Sequence, residues 1–115
     1  MKLPSVPEAR VEVRKLTGYL LDPAHPSGRH KAAWLSAFGF TRTRWEDLRA
    51  ALLVHAKEHE VATVEPSPFG TRYVVEGPLE TPDGRKPIAR TIWFVEAGDE
   101  TPRFVTAYPV RRRSR

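Results

Sequence analysis

The chain has 115 residues, no cysteine and a net charge of +5 at pH 7, which excludes disulfides, thiolate chemistry and zinc sites of the finger type. We expect one domain over residues 1–110, because this length supports a single modest core. No apolar run approaches the ~20 residues that cross a bilayer, and no signal peptide begins the chain, so a cytoplasmic location without membrane contact is expected.

Four arginines lie in the basic tail at residues 111–115, and the remaining residues are nearly balanced in charge. The overall excess of positive charge favours an anionic partner such as nucleic acid. Two interpretations of the tail stay open: a solvated, disordered end, or a contact for nucleic acid.

The first part of the chain predicts two short helices. Residues 10–13 (RVEV) alternate in the manner of a strand, and the segment that follows places Leu16, Tyr19 and Leu20 on one helical face. The stretch DPAHPSG interrupts this helix with two prolines and a glycine. A second short helix is predicted in RHKAAWLSAFGF, with Gly39 at its C-terminal end.

A longer helix is predicted in TRTRWEDLRAALLVHAKEHE. Thr43 and Glu46 have the spacing of a capping box, in which each side chain satisfies a backbone donor of the first turn. Apolar residues then recur at helical spacing, which indicates one buried face. That face consists of Trp45, Leu48, Ala51, Leu52 and His55.

The end of this helix, HAKEH, matches the inverted zinc-protease signature. A catalytic zinc needs a third protein ligand and an open position, whereas this motif directly precedes a strand at Val61, and a five-residue pattern arises readily by chance. We therefore interpret His55 as a core-edge histidine and His59 as a cation favoured by the helix dipole. No metal or organic cofactor is predicted.

From Val61 onward the hydrophobic period changes to two. Strands are predicted in VATVE, TRYVVEGPL, KPIARTIWFVE and RFVTAYP, with turns at PSPFG, TPDG and AGDETP. Such short connections predict an antiparallel β-meander. Helices followed by strands predict an α+β fold, in which two short helices and one long helix pack on one face of a four-stranded sheet.

The loop between the two short helices carries the first candidate site residues. His25 lies in the loop and Lys31 in the first turn of the next helix, where free backbone N–H groups favour anions. A histidine can exchange a proton near neutral pH. The plainer alternative is that His25 caps a turn and Lys31 is a solvated helix residue.

The last predicted strand carries the second set of candidate site residues. In one register, Val105 and Ala107 face the helices, and Thr106 and Tyr108 form a hydroxyl pair on the open face. In the alternative register, Phe104 and Tyr108 belong to the core. On the preceding strand, residues 90 and 91 point to opposite faces, so only one of them can join this cluster.

Three segments of the chain carry a resemblance that covers roughly residues 15–109. KLTGYLLDPAHPSGRHKAAWLSAFGF, FGTRYVVEGPLETPDGRKPIARTIWF and RFVTAYP resemble an uncharacterised bacterial domain family of the domain-of-unknown-function 6883 type. That family is distantly similar to toxin ribonucleases of the barnase, EndoU, colicin and RelE type, in which N-terminal helices precede a four-stranded antiparallel sheet.

This resemblance implies metal-independent cleavage of RNA, in which the ribose 2′-hydroxyl attacks the phosphate and leaves a 2′,3′-cyclic end. His25 would act as base or acid, and Lys31 together with Arg90 would hold the phosphate. Thr106 and Tyr108 would orient it, and Tyr73 or Trp93 would stack a base. The chain departs from the family pattern at GRHK, so His30 is a second candidate histidine. The predicted catalytic residues are His25, Lys31, Thr106 and Tyr108, and the predicted substrate-binding residues are Arg90, Thr91, Tyr73 and His30.

A different class of function also fits the sequence. The domain would then be a non-catalytic module that binds RNA or a protein, such as an acidic inhibitor or antitoxin. A third option is a structural subunit that pairs through an exposed sheet edge. Catalysis requires His25, Lys31 and Thr106 to converge around one phosphate-sized space, which distinguishes it from the other two.

Overall fold

The computed structural model describes residues 1–110, and the basic tail lies outside them. Three helical elements precede four strands, with a 3-10 turn at Val6–Glu8 before them. The helices are α1 (Val13–Lys15), which continues as a π-helical segment (Leu16–Leu20), α2 (Arg29–Ala37) and α3 (Trp45–Glu58). The strands are β1 (Val61–Ser67), β2 (Gly70–Pro78), β3 (Ile88–Glu96) and β4 (Arg103–Pro109).

The four strands form one antiparallel sheet in the order β1-β2-β3-β4. This arrangement confirms the predicted α+β fold with a meander, because each tight turn joins neighbouring strands. The helices cover one face of the sheet, and their apolar residues pack there against alternate strand residues. The largest members of this core are Trp93, Phe40 and Phe104, followed by leucines such as Leu16, Leu20 and Leu48.

Strand β4 contains a bulge that neither predicted register included. Phe104 lies opposite Trp93 and Thr106 opposite Ile92, so Val105 is an extra residue in the ladder. Strict alternation would place residues 104 and 107 on opposite faces, but the extra residue brings Phe104 and Ala107 to the same buried face. Thr106 and Tyr108 share the other face of the strand.

The N-terminal segment differs from the prediction in two respects. Residues 10–13 do not form a strand: Arg10 alone makes a parallel bridge to Arg103, because the next carbonyl, that of Val11, accepts a hydrogen bond from Arg49 at 2.9 Å. The following helix is π-helical over its second half, where the N–H of Leu21 donates to the carbonyl of Leu16 at 2.7 Å. Such segments are rare and often occur at functional sites.

The predicted capping box is also wrong. α3 begins one residue later than that motif requires, with Arg44 at the N-cap and no side-chain cap in the described chain. The hydroxyl of Thr41 instead accepts the N–H of Arg44 at 3.2 Å, and Arg44 pairs with Asp47 at 3.2 Å. A tight turn before the helix therefore sets its start.

His55 lies in the buried face of α3, as the apolar stripe predicted, and is 1% exposed. Its Nε2–H points to the carbonyls of Gly77 at 2.9 Å and Ala89 at 3.1 Å. Nδ1 must therefore accept, and it receives the hydroxyl of Thr91 at 2.9 Å. The Thr91 oxygen in turn accepts the indole N–H of Trp93 at 2.9 Å. This network joins α3 to β2 and β3, and it requires that His55 is neutral.

The stability of the fold should consequently fall as the pH falls below 6.5, the ordinary pKa of histidine. Burial lowers the pKa of His55, and nearby His59 adds to this, although the two carbonyls oppose it. The unfolded chain then binds the proton first, which lowers the free energy of unfolding by at most about 1.4 kcal/mol per pH unit. Urea unfolding between pH 7.5 and 5.5 measures this slope.

The slope should become smaller in His55→Gln, which cannot titrate, and should remain in His30→Gln, since His30 is exposed on α2. An equal slope in the parent and His55→Gln would contradict the assignment of the pH dependence to this residue.

Candidate functional site

The loop before α2 is held by its own side chains. Nδ1 of His25 accepts the N–H groups of Ser27 at 3.1 Å and Gly28 at 3.0 Å, and Asp22 accepts the N–H of Ala24 at 2.9 Å. His25 thus caps a turn, which is the plainer of the two predicted interpretations. It also lines a pocket beside α1 and β4.

These contacts fix the protonation pattern of the His25 ring. Two backbone donors point at Nδ1, so the proton of the neutral ring lies on Nε2. A proton on Nδ1 would instead point at the N–H groups of Ser27 and Gly28, so that donors would face a donor and both hydrogen bonds would be lost. The ring therefore presents an N–H donor at Nε2 and keeps its lone pair within the loop, which suits binding of an anion better than proton transfer.

Tyr19 lies at the centre of the pocket, where three elements meet. Its hydroxyl accepts a hydrogen bond from Lys31 of α2 at 2.8 Å and lies 3.1 Å from the hydroxyl of Thr106 on β4. The ring of His25 packs edge-on against it, with centroids 5.1 Å apart. Lys15 also approaches the ring, with its Nζ 6.0 Å from the ring centroid.

The same contacts change the acidity of the phenol. Burial alone raises the pKa of Tyr19, but the hydrogen bonds from Lys31 and Thr106 and the positive charges of Lys31 and Lys15 outweigh it. The pKa of Tyr19 therefore lies below its ordinary value of 10.0. A phenol in this setting gives up its proton more readily than a solvated one.

Gly28 makes the approach of the loop to Tyr19 sterically feasible. A Cβ atom at this position would lie 2.5 Å from the carbonyl oxygen of Tyr19 and 2.8 Å from its Cδ1. Only glycine lets the backbone of the loop lie against the ring. The sequence HPSG thus supplies both the cap of the loop and the space for the tyrosine.

The pocket has a volume of about 680 Å³ and a positive character. None of the described residues that line it is acidic; Glu12, outside the lining, pairs with Arg14 at 3.4 Å. Its polar lining offers donors to a phosphate group from several elements. These side chains are Arg14, Lys15, Tyr19, His25, Ser27 and Thr106.

Three predicted site residues therefore converge: His25 lines the pocket with Thr106, and Lys31 reaches it through the hydroxyl of Tyr19. Tyr108 lies two residues further along β4, opposite Arg90. Arg90 donates to Glu76 at 2.8 Å, and this contact, with a hydrogen bond to Tyr108, raises the pKa of the guanidinium.

The remaining candidates lie elsewhere. Thr91 is buried in the network of His55, and Tyr73 packs against the core on the helix-covered face. His30 is exposed on α2 and lines a different cleft. Trp93 is fully buried, so its predicted stacking on a base is wrong.

Sequence reasoning missed Tyr19, the residue that holds the pocket together. Its position at i+3 from Leu16 predicted a core contact, and it does pack at the edge of the core. The available signal was its hydroxyl group, because a tyrosine on an apolar helix face needs a polar partner for its O–H.

The fold and the pocket together define the class: an α+β domain with helices on an antiparallel meander and a basic, tyrosine-centred pocket at the edge strand. The chain belongs to the family described as Domain of unknown function (DUF6883), which it matches over residues 2–111. In the described residues 1–110, every helix is too short or too polar to span a bilayer.

A solved structure of similar fold is a chain of the contact-dependent growth inhibition toxin–immunity protein complex from Klebsiella pneumoniae 342. The TM-score is 0.69 at 15% identity, and the match covers 87% of this chain and 98% of that one. At this identity the similarity establishes a common fold. No curated protein matches the chain.

Titration of the tyrosine Cζ signals by ¹³C NMR tests the electrostatics of the pocket. The signal that disappears in Tyr19→Phe should titrate below pH 10.0, and Lys31→Met should raise this midpoint because it removes a donor and a charge. Lys57→Met, on the exposed side of α3, should leave it unchanged. A Tyr19 midpoint at or above 10.0 in the parent protein would contradict the arrangement.

Gly28→Ala should destabilise the protein by about 1–3 kcal/mol, because the added methyl group overlaps the backbone of Tyr19. Urea unfolding measures this change. Gly18→Ala is the matched control, since a Cβ there has no described neighbour within 4 Å. Equal stabilities of the two variants would show that the loop does not need glycine at position 28.

Proposed function

We propose that the protein is a metal-independent ribonuclease and that the Tyr19 pocket is its reaction centre. One observation carries this proposal: a tyrosine hydroxyl of lowered pKa is held between Lys31 and Thr106 in a pocket of cationic character. This combination supplies a proton acceptor and electrostatic stabilisation beside each other, as cleavage by an internal 2′-hydroxyl requires.

In the proposed reaction, the phenolate of Tyr19 takes the proton of the ribose 2′-hydroxyl. The 2′-oxygen forms a bond to phosphorus and the bond from phosphorus to the 5′-oxygen breaks, which leaves a 2′,3′-cyclic phosphate. The ammonium groups of Lys15 and Lys31 stabilise the charge on the phosphorane, and one of them protonates the leaving oxygen.

His25 has a different role here from the one that the sequence predicted. Loss of the Nε2 proton from the neutral ring would leave an imidazolate, so His25 acts as a fixed hydrogen-bond donor to a phosphate oxygen. Thr106 orients the phenol, and Tyr108, on the same face of β4, contacts the neighbouring nucleotide. The guanidinium of Arg90 orients Tyr108, since its own charge is paired with Glu76.

The similarity in fold supports a toxin-related role for the proposed ribonuclease. The structural neighbour comes from a toxin–immunity protein complex, and a toxin-type nuclease acts in the cytoplasm, where its RNA substrate lies. The cationic pocket would also be complementary to an acidic inhibitor protein, which would protect the producing cell by covering it.

Incubation of the purified protein with total RNA in EDTA tests the proposal. The parent should produce fragments with 2′,3′-cyclic phosphate ends, at a rate that rises with pH as Tyr19 loses its proton. Tyr19→Phe and Lys31→Met should each lower this rate by about a hundredfold or more. Lys57→Met, which removes a lysine outside the pocket, should cleave like the parent.

Two results would contradict the proposal. One is intact RNA after incubation with the parent at high protein concentration across the pH range, and the other is undiminished cleavage by Tyr19→Phe. His25→Ala should lose less activity than Tyr19→Phe, since it removes one donor and no proton acceptor.

A second function, binding of a partner protein, is favoured by the unequal edges of the sheet. The edge of β4 is covered, because Phe104 donates its N–H to the carbonyl of Arg10 at 2.8 Å and Lys15 donates to the carbonyl of Val105 at 3.3 Å. β1 is exposed beyond Val61, whose N–H donates to the carbonyl of Met1 at 2.7 Å, and Phe69 beside the strand is 78% exposed. An open edge of this kind accepts a strand from another chain.

A further inference from the structure

A second cleft lies on the other side of the loop that carries His25. One wall is a face of α2 whose members follow the helical spacing i, i+3, i+4 and i+7, and the other wall lies just after Phe40. The cleft has a volume of about 580 Å³. The residues of the helical wall are Arg29, Ala32, Ala33 and Ser36.

The charges of this cleft are of one sign. Arg29, His30 and Arg42 line it, and none of them forms an ion pair with any residue in the described part of the chain. No described residue of its lining is acidic. Three side chains with cationic or N–H donor groups thus face one open space.

The arginines of the sheet face provide the contrast. Each pairs with a glutamate on the same or a neighbouring strand: Arg72 with Glu65 at 2.6 Å, Arg90 with Glu76 at 2.8 Å and Arg103 with Glu96 at 3.2 Å. Among the described residues, these arginines of the sheet are therefore neutralised, whereas Arg29 and Arg42 at the cleft carry charges that are free to meet a polyanion.

The cleft and the Tyr19 pocket flank one short segment of chain. Tyr19, His25 and Ser27 line the pocket, whereas Leu21, Pro23 and Arg29 line the cleft. A chain-like ligand that crosses this loop reaches both spaces.

We infer that the cleft is a subsite for single-stranded RNA, in which Arg29 and Arg42 hold backbone phosphates beyond the scissile one. A base lies against the exposed apolar surface of Pro23 and Ala33, and Ser36 and Thr41 offer hydrogen bonds to its edge. This inference rests on the proposed function, and it specifies the substrate as an RNA strand several nucleotides long.

Binding of a fluorescent, 12-nucleotide 2′-O-methyl RNA, measured by anisotropy at several salt concentrations, tests the subsite separately from catalysis. The methylated RNA has no free 2′-hydroxyl and is not cleaved. Arg29→Gln/Arg42→Gln should bind more weakly than the parent. The slope of log K against log salt should fall in magnitude by about 1.4, since each lost contact to a single-stranded phosphate removes about 0.7.

Arg72→Gln/Arg103→Gln is the matched control, because it removes the same net charge from the sheet face and should keep the slope of the parent. A 2′-O-methyl dinucleotide reaches only the Tyr19 pocket, so the parent and Arg29→Gln/Arg42→Gln should bind it equally. Thermal unfolding by circular dichroism verifies that both double variants are folded.

The outcomes separate the subsite from the ribonuclease. Equal slopes for the two double variants would overturn the subsite even if RNA is cleaved in EDTA. Salt-independent binding by the parent, or tighter binding of the same sequence as a duplex, would also overturn it. A reduced slope without cleavage by the parent would support the subsite and overturn the ribonuclease, leaving a non-catalytic RNA-binding domain.

Discussion

The hydroxyl of Tyr19 is the contact on which the functional part of this molecule depends. It joins the π-helical segment to α2 through Lys31 and to the edge strand through Thr106. Thr106 lies 87 residues from Tyr19 in the sequence, and no other polar contact in the described chain brings all three elements to one atom. The loop of His25 packs against this tyrosine, where Gly28 leaves no room for a side chain.

The distribution of charge follows from the same architecture. On the sheet, glutamates and arginines lie on neighbouring strands, directly opposite in two of the three pairs, and neutralise one another at close range. At the loop and α2, Arg29 and Lys31 form no ion pair with any described residue, so their field extends into the solvent. The described part of the chain thus presents a cationic region here, which contains both the tyrosine pocket and the neighbouring cleft.

Much of the fold was predictable because local rules determine it. The change of hydrophobic period at Val61 separated helices from strands, and the short turns predicted the meander. The positive φ of 103° at Gly39 matches its predicted place at the end of α2. Local rules failed where a second group competes for the backbone: Arg49, 38 residues away, takes the carbonyl of Val11 that a strand would have used. At α3 the competitor is itself local, since Thr41 accepts the N–H of Arg44 in place of the capping box.

The sequence by itself determined the elements, the loop with His25 and Gly28, and the proximity of Lys31 to that loop, since these features depend on residues close in the chain. Tertiary structure alone decided that Val105 is a bulge and that Tyr19 meets Thr106. The physical reason is that the register of a strand depends on how it pairs with its neighbour, and that Tyr19 and Thr106 lie 87 residues apart, so that no local pattern encodes either contact.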